Sequence, residues 1–124
     1  MLMVEPSCPA LVIHDDDEFR RNLIRTLDQE HFTVTFTNDG PGAVEALGTR
    51  RFNVVIVGLD LKSKIGVTAI EHLRTHREQL ACGVIIVGEP DPALRTYAPW
   101  ADETFLKPVD PGYLATRARG YCGC

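Results

Sequence analysis

Short runs of apolar, largely β-branched residues recur along the chain and predict five strands. Four of the runs are read as strands buried on both faces of a parallel sheet, because they are almost continuously apolar. These runs are residues 11–13, 52–57, 84–87 and 104–106. The fifth run, residues 32–37, alternates Phe or Val with Thr, and this period of two predicts a half-exposed edge strand.

Amphipathic stretches between the runs predict five helices, each with its apolar positions on one face. The first follows an N-cap at Asp16 or Asp17 and reaches about Glu30. Pro99 is expected to cut the fourth helix short, and Gly120 to end the fifth. The apolar positions are, in helix order, Phe19, Leu23 and Leu27; Ala43, Val44 and Leu47; Ile70, Leu73 and Leu80; Leu94, Tyr97 and Ala98; and Tyr113 and Leu114. This alternation predicts an α/β fold of right-handed βαβ units, with helices on both faces of a parallel sheet.

Composition and charge narrow the classes of function. A length of 124 residues predicts one domain, residues 1–124, with a core over about 10–119 and short tails. The net charge of -4, with scattered basic residues, argues against direct contact with nucleic acid. No apolar run approaches the roughly 18 residues of a membrane span, and the first residues do not resemble a signal peptide. We therefore expect a cytoplasmic protein without a membrane partner.

The four cysteines do not form a Cys-x-x-Cys motif. Cys8 precedes the first run, Cys82 precedes the third buried run, and Cys122 and Cys124 lie in the last three residues. In a cytosolic protein they are expected to be reduced thiols. A metal site or a cross-link between chains at the Cys-x-Cys tail is the alternative, and the sequence does not assign the tail a role.

Ligands of parallel α/β sheets bind beyond the carboxyl ends of the strands. The residues that follow the buried runs are therefore the candidates for chemistry. They are His14, Asp15 and Asp16 after the first; Gly58 and Asp60 after the second; Gly88 and Glu89 after the third; and Lys107 and Pro108 after the last.

Several motifs in this order resemble the receiver domains of bacterial response regulators. They are Leu-Val-Ile-His-Asp-Asp-Asp-Glu-Phe-Arg at 11–20, Asn-Asp-Gly at 38–40, Phe-Asn-Val-Val-Ile-Val-Gly at 52–58, Gly66, and Ala-Asp-Glu-Thr-Phe-Leu-Lys-Pro at 101–108. The resemblance covers about residues 10–119. It implies a flavodoxin-like (CheY-like) sheet in the order 2-1-3-4-5, a cis Lys107–Pro108 peptide, and a two-component signalling module that is not an enzyme.

A working receiver of this family carries a particular set of reactive residues. Two acids after the first strand hold Mg²⁺, an aspartate after the third strand accepts the phosphoryl group, and a hydroxyl residue and a lysine follow the last two strands. Mg²⁺ binds oxygen ligands and neutralises charge on the phosphoryl oxygens, and the lysine adds positive charge.

The resemblance implies that this chain has lost most of that set. It places His14 and Asp15 at the two acidic positions, and Gly58 at the acceptor position. Imidazole is a poor ligand for a hard cation, and glycine has no side chain to phosphorylate. The hydroxyl position carries Gly88, and the position of the family's switching aromatic carries Thr104.

Alternative roles remain open for the residues of that set that this chain retains, and for the residues that replace the others. Asp15 and Asp16 could simply cap the first helix, and Lys107 could be a solvated loop lysine. Gly58 and Gly88 could be required for unusual backbone angles, although erosion of a former site explains the pair better. His14 is more often a hydrogen-bonded histidine than a ligand.

The interpretation favoured by these residues is a pseudo-receiver that acts by protein–protein interaction. No cofactor is expected, and Mg²⁺ binding, for which Asp15 is a weak candidate, should be weak or absent. One alternative is a phosphorelay receiver that uses Asp60. The other is a small-molecule binder or hydrolase with His14, Asp15 and Lys107 around the crevice.

The partner of a pseudo-receiver would be a signalling protein or a second copy of the chain. The expected surface is built from the fourth helix, the fifth strand and the fifth helix, and it carries Arg and aromatic residues of the kind enriched in binding hot spots. These residues are Arg95, Tyr97, Trp100, Tyr113 and Arg117. The alternative is that Tyr97 and Trp100 pack onto the sheet. The fifth helix also looks shorter than that of the family, which would fit a piece of a longer protein.

Overall fold

The computed structural model describes residues 8–14, 16–38, 40–59, 65–76, 80–90 and 92–122. Within these residues, strands and helices alternate along the chain as the apolar pattern predicts. The strands are β1 (Cys8–Ile13), β2 (Phe32–Thr37), β3 (Val54–Leu59), β4 (Gly83–Gly88) and β5 (Glu103–Leu106). The helices are α1 (Asp17–Gln29), α2 (Gly40–Thr49), α3 (Ile65–Thr75), α4 (Pro92–Tyr97) and α5 (Pro111–Arg119), with a 3₁₀ turn at Ala98–Trp100. None of the described helices is long and apolar enough to cross a membrane.

The five strands form one parallel sheet in the order β2-β1-β3-β4-β5, which confirms the predicted fold class and strand order. The register aligns the carboxyl ends of the central strands. Ile13 is paired with Val57, and Gly58 with Val87. Side chains that follow β1, β3 and β4 therefore meet at one edge of the sheet.

The two outer strands are partly exposed. β2 pairs only with β1, as its alternating pattern predicts. The prediction that residues 104–106 are buried on both faces is wrong. β5 is the other outer strand of the sheet, and the side chain of Leu106 is 55% exposed. The apolar run could not show this, because strand order decides which strands lie outside.

Helices cover both faces of the sheet and enclose two apolar clusters. Leu11 and Ile13 of β1 face a cluster that includes residues of α2, α3 and α4. Ala10 and Val12 face the other cluster, built with α1 and α5. This alternation along one strand is the period of two expected of extended backbone.

Helix ends follow the local sequence signals. Asp16 is the N-cap of α1, and its Oδ1 accepts a hydrogen bond from Phe19 N–H at 3.1 Å. α4 ends at Tyr97, and the chain continues as the 3₁₀ turn that contains Pro99. α5 runs from Pro111 to Arg119, and Gly120 is its C-cap. α3 ends at Thr75, before Leu80, which the sequence assigns to the third helix. Leu80 is helical all the same, and its N–H donates a hydrogen bond to the carbonyl oxygen of His76 at 3.0 Å.

The expectation that all cysteines are reduced thiols is also wrong. Cys8 and Cys122 form a disulfide, with their Cα atoms 5.3 Å apart. Their separation of 114 residues gives no sequence signal for the pairing. Cys82 is buried in the cluster under α2, α3 and α4, and Cys124 lies outside the described residues. The Lys107–Pro108 peptide is cis, as the resemblance implies.

Candidate functional site

His14 follows β1 directly and is held in the interior of the protein. Its side chain is 2% exposed, and its ring lies 4.9 Å from the ring of Phe19. Its Nδ1 accepts a hydrogen bond from Asp16 N–H at 3.0 Å, which places the ring proton on Nε2. Arg20 Nη1 donates a hydrogen bond to the carbonyl oxygen of His14 at 2.9 Å. The prediction of a hydrogen-bonded histidine is confirmed.

Gly58 lies on β3 against the ring of His14. A Cβ placed on Gly58 would stand 2.1 Å from Cδ2 and 2.6 Å from Nε2 of His14, far closer than atoms can pack. The φ angle of Gly58 is not in the left-handed region, so the alternative of an unusual backbone angle is wrong here. Glycine is needed at position 58 because the imidazole fills the space of a side chain.

Gly88 ends β4 and is also closely packed. A Cβ there would lie 3.0 Å from the carbonyl oxygen of Leu59 and 3.3 Å from Cδ1 of Leu94. Its φ is likewise outside the left-handed region. A side chain at this position would therefore require β3 or α4 to shift by a few tenths of an ångström.

Lys107 is anchored to this edge of the sheet through its backbone. Its N–H donates a hydrogen bond to the carbonyl oxygen of Gly88 at 2.9 Å, and its Nζ lies 5.6 Å from the centroid of the Phe19 ring. With Asp16 and Glu89 it lines a cleft of about 480 Å³. The pKa of Asp16 is lowered, chiefly by the hydrogen bond from Phe19 N–H and to a smaller degree by the charge of Lys107.

The structure thus brings His14, Asp16, Gly58, Gly88 and Lys107 to one edge of the sheet. Thr104 lies within β5, half-buried and paired with Ile86 of β4. The two other predicted site residues, Asp15 and Asp60, lie outside the described residues.

Two residues of this region were not singled out from the sequence. Phe19 was assigned only to the apolar face of α1, yet its ring contacts His14 and lies near Lys107. Arg20 holds the backbone of His14 and forms an ion pair with Asp17 at 2.5 Å. The only signal in the sequence is their position in the first turn of a helix that directly follows β1.

Comparison with known protein families identifies the family of this chain. Residues 10–119 match the family model of the response regulator receiver domain. This chain belongs to that family. It is 24% identical over 109 residues to the transcriptional regulatory protein SrrA of Staphylococcus aureus, covering 88% of this chain and 45% of that protein. The receiver therefore spans about half the length of the curated relatives it matches.

Solved receiver structures share the fold at low sequence identity. A signal receiver domain from Bermanella marisrubri has a TM-score of 0.81 at 24% identity, covering 95% of this chain and 100% of that one. The receiver domain of a sensor histidine kinase from Pseudomonas aeruginosa, which has a magnesium ion coordinated in its active site cleft, has a TM-score of 0.79 at 15% identity. Its alignment covers 96% of this chain and 100% of that one.

The β5 side of this receiver carries three of the five residues predicted to face a partner. The ring of Tyr113 contacts Phe105 edge-on, with centroids 5.5 Å apart. Arg117 forms an ion pair with Glu103 at 2.5 Å. Arg95 is exposed on α4 and, with Leu106, lines a cleft of about 430 Å³.

The other two predicted partner residues contact α3. Trp100 is 52% exposed, and the Arg74 guanidinium lies 4.6 Å from the centroid of its ring. Tyr97 packs partly against the core, and a hydrogen bond to Glu71 raises the pKa of its hydroxyl. The predicted surface therefore divides into residues that contact β5 and residues that contact α3.

Proposed function

We propose that this receiver domain signals through protein–protein contacts and does not use aspartyl phosphorylation. The observation that carries the proposal is the contact between His14 and Gly58. Position 58 is where the resemblance implies the phosphoacceptor, and the imidazole takes up the space in which an acceptor side chain would begin. A carboxylate at position 58 could be accommodated only if the buried ring of His14 moved.

The side chains described at this edge are a poor match for Mg²⁺. Mg²⁺ requires several oxygen ligands in near-octahedral geometry. His14 contributes an imidazole, whose Nδ1 already accepts a hydrogen bond, and Gly58 contributes no side chain. Asp16 has a carboxylate, but one of its oxygens caps α1. We therefore propose that Mg²⁺ binding, even with Asp15 as a ligand, is weak or absent.

The same residues argue against a phosphorylation-driven switch. Gly88 has no hydroxyl to be drawn toward a phosphoryl group, and Thr104 has no aromatic ring to change position. A ligand shifts an equilibrium only through different affinities for its two states. We propose that the loops after β4 and β5 keep one conformation.

We propose that the partner is a signalling protein or a second copy of this chain, bound at the surface of α4, β5 and α5. Supporting features are the exposed ring of Tyr113, the exposed Arg95, and the apolar side chain of Leu106, which is largely exposed on β5. Exposed aromatic and arginine side chains are frequent anchors of protein interfaces. We also propose a cytoplasmic location, a single domain over residues 1–124, and no enzymatic activity.

Amide NMR spectroscopy with beryllofluoride and Mg²⁺ tests this function. Beryllofluoride imitates a phosphoryl group on a receiver aspartate, so the account predicts nearly unchanged signals for Gly88, Glu89 and Thr104. Clustered shifts at these three residues would contradict it. The matched control is Asp60→Asn: shifts that occur in the natural chain and vanish in this variant would assign the acceptor to Asp60.

A further inference from the structure

The disulfide joins the two ends of the described chain at the edge of the sheet opposite the candidate site. Cys8 begins β1 and is 7% exposed, whereas Cys122 follows α5 and is half-buried. Both cysteines pack with the apolar cluster between the sheet, α1 and α5. The cross-link closes a loop that contains almost the whole domain.

Tyr121, next to Cys122, contacts three further strands at the same edge. Its carbonyl oxygen accepts a hydrogen bond from Asn53 Nδ2 at 3.2 Å, beside the start of β3. Its hydroxyl donates to Glu103 Oε2 at 2.7 Å, at the start of β5. A Cβ on Gly83, at the start of β4, would lie 2.3 Å from its ring. We call Tyr121 and Cys122 the C-terminal clasp, because together they contact the amino ends of β1, β3, β4 and β5.

We propose that Cys8 and Cys122 form a reversible thiol–disulfide site, with a dithiol as the reducing co-reactant. Cys122 is the more exposed of the two residues, which favours its Sγ over that of Cys8 as the atom that an external thiolate attacks. Cys82 does not compete for either sulfur, because it is buried in the cluster on the opposite face of the sheet. Among the described residues, the Cys8–Cys122 disulfide is therefore the bond that a thiol reductant can attack.

The exchange has two steps and balances in atoms and electrons. A thiolate of the dithiol attacks Sγ of Cys122, the Cys8–Cys122 bond breaks, and the Cys8 thiolate takes up a proton. The second thiol of the reductant then attacks the mixed disulfide and releases Cys122, which is also protonated. The dithiol loses two electrons and becomes a disulfide, and the protein gains two thiols.

Reduction removes the covalent link between the clasp and β1, and leaves the clasp held by non-covalent contacts, among them those of Tyr121 with Asn53 and Glu103. The unfolded chain also loses a cross-link that restricts almost its whole length, and long loops are where such a constraint stabilises most in the chain-entropy model. Because the clasp directly follows α5, its release loosens the carboxyl end of the helix that carries Arg117. The redox state of this pair would thereby change the order of one end of the domain.

The test equilibrates the full chain in mixtures of reduced and oxidised dithiothreitol, under native conditions, and traps thiols with N-ethylmaleimide. Peptide mapping should find the Cys8–Cys122 link in oxidising mixtures and both thiols labelled in reducing ones. The thermal midpoint should fall by at least about 5 °C on reduction. Cys82→Ala is the matched control and should behave like the natural chain, whereas Cys122→Ser should have the same midpoint in both conditions.

Three results would overturn the proposal. One is that no Cys8–Cys122 link forms in the folded natural chain, or that Cys122 links to Cys124 instead. Another is that the link resists dithiol until the chain is denatured, which would make it a permanent cross-link. The third is an unchanged thermal midpoint on reduction. All three are measured on the natural chain, so a variant that fails to fold does not weaken the test.

Discussion

The imidazole ring of His14 fills the space that a side chain at position 58 would need: a Cβ on Gly58 would lie 2.1 Å from Cδ2 of His14. Each residue therefore explains the other. A buried imidazole requires glycine at its neighbour on β3, and glycine there leaves a space that the imidazole fills. His14 and Gly58 both depart from the residues that the resemblance implies at these positions, and the contact between them accounts for both departures.

This arrangement predicts a coupled effect on stability. Gly58→Ala should lower the free energy of unfolding by about 1–3 kcal/mol, because the new methyl group meets the buried ring. In the background of His14→Ala the same substitution should cost less, with a coupling of at least about 0.5 kcal/mol. Urea denaturation of the four proteins measures both quantities.

Gly48→Ala is the control for this cycle. Gly48 lies in α2, and a Cβ there has no atom within 4 Å. The substitution should stabilise the protein by about 0.5–1 kcal/mol, as alanine does in a helix relative to glycine. Equal effects at positions 48 and 58 would show that the ring of His14 does not restrict position 58.

The N-cap of α1 should contribute a pH-dependent part of the stability. Asp16→Ala should cost about 1 kcal/mol at neutral pH, because Phe19 N–H loses its acceptor. The pKa of Asp16 is lowered in the folded protein, so this contribution is present above the unfolded pKa of about 3.9 and is lost as pH falls through the folded value. Urea denaturation at neutral and acidic pH measures the difference. Asp28→Ala, at the opposite end of α1, is the control and should not reduce stability.

Tyr121 should ionise later than an ordinary tyrosine. Burial, followed by its hydrogen bond to Glu103, raises the pKa of Tyr121 to about 12. The neutral phenol thus stabilises the fold below the unfolded pKa of about 10, and this contribution is lost as pH rises through the folded value. The pKa of Tyr97 is raised as well, so ultraviolet titration should show two late phenolate transitions. The one that is missing in Tyr121→Phe belongs to Tyr121. A natural chain whose tyrosines all ionise near the ordinary value would contradict the docking of the clasp.

The single tryptophan reports on the α3 side of the proposed surface. Because Trp100 is half-exposed, acrylamide should quench its fluorescence readily. Arg74→Ala should increase quenching further, since the guanidinium covers part of the ring. Arg95→Ala removes a similar charge from exposed α4 and should leave quenching unchanged. A Trp100 that resists quenching would instead be packed onto the sheet.

The sequence predicted the elements of the fold better than the contacts between them. Continuous apolar runs located β1, β3 and β4, since buried parallel strands require such runs. The same rule failed at β5, because its position at the edge depends on strand order. The contacts of His14 with Gly58, and of Cys8 with Cys122, join distant parts of the chain and have no local pattern. The edge of the sheet that carries the candidate site was predictable from the sequence, because parallel strands bring their carboxyl ends together.

The absence of phosphoryl transfer is the central claim, and intact-protein mass spectrometry tests it most directly. The full chain is incubated with acetyl phosphate and Mg²⁺, beside the Asp60→Asn variant as the mapping control. The account predicts that both proteins keep their unmodified mass. A phosphoryl group that appears on the natural chain and is missing from Asp60→Asn would contradict it, and would show that Asp60 serves as the acceptor that Gly58 cannot be.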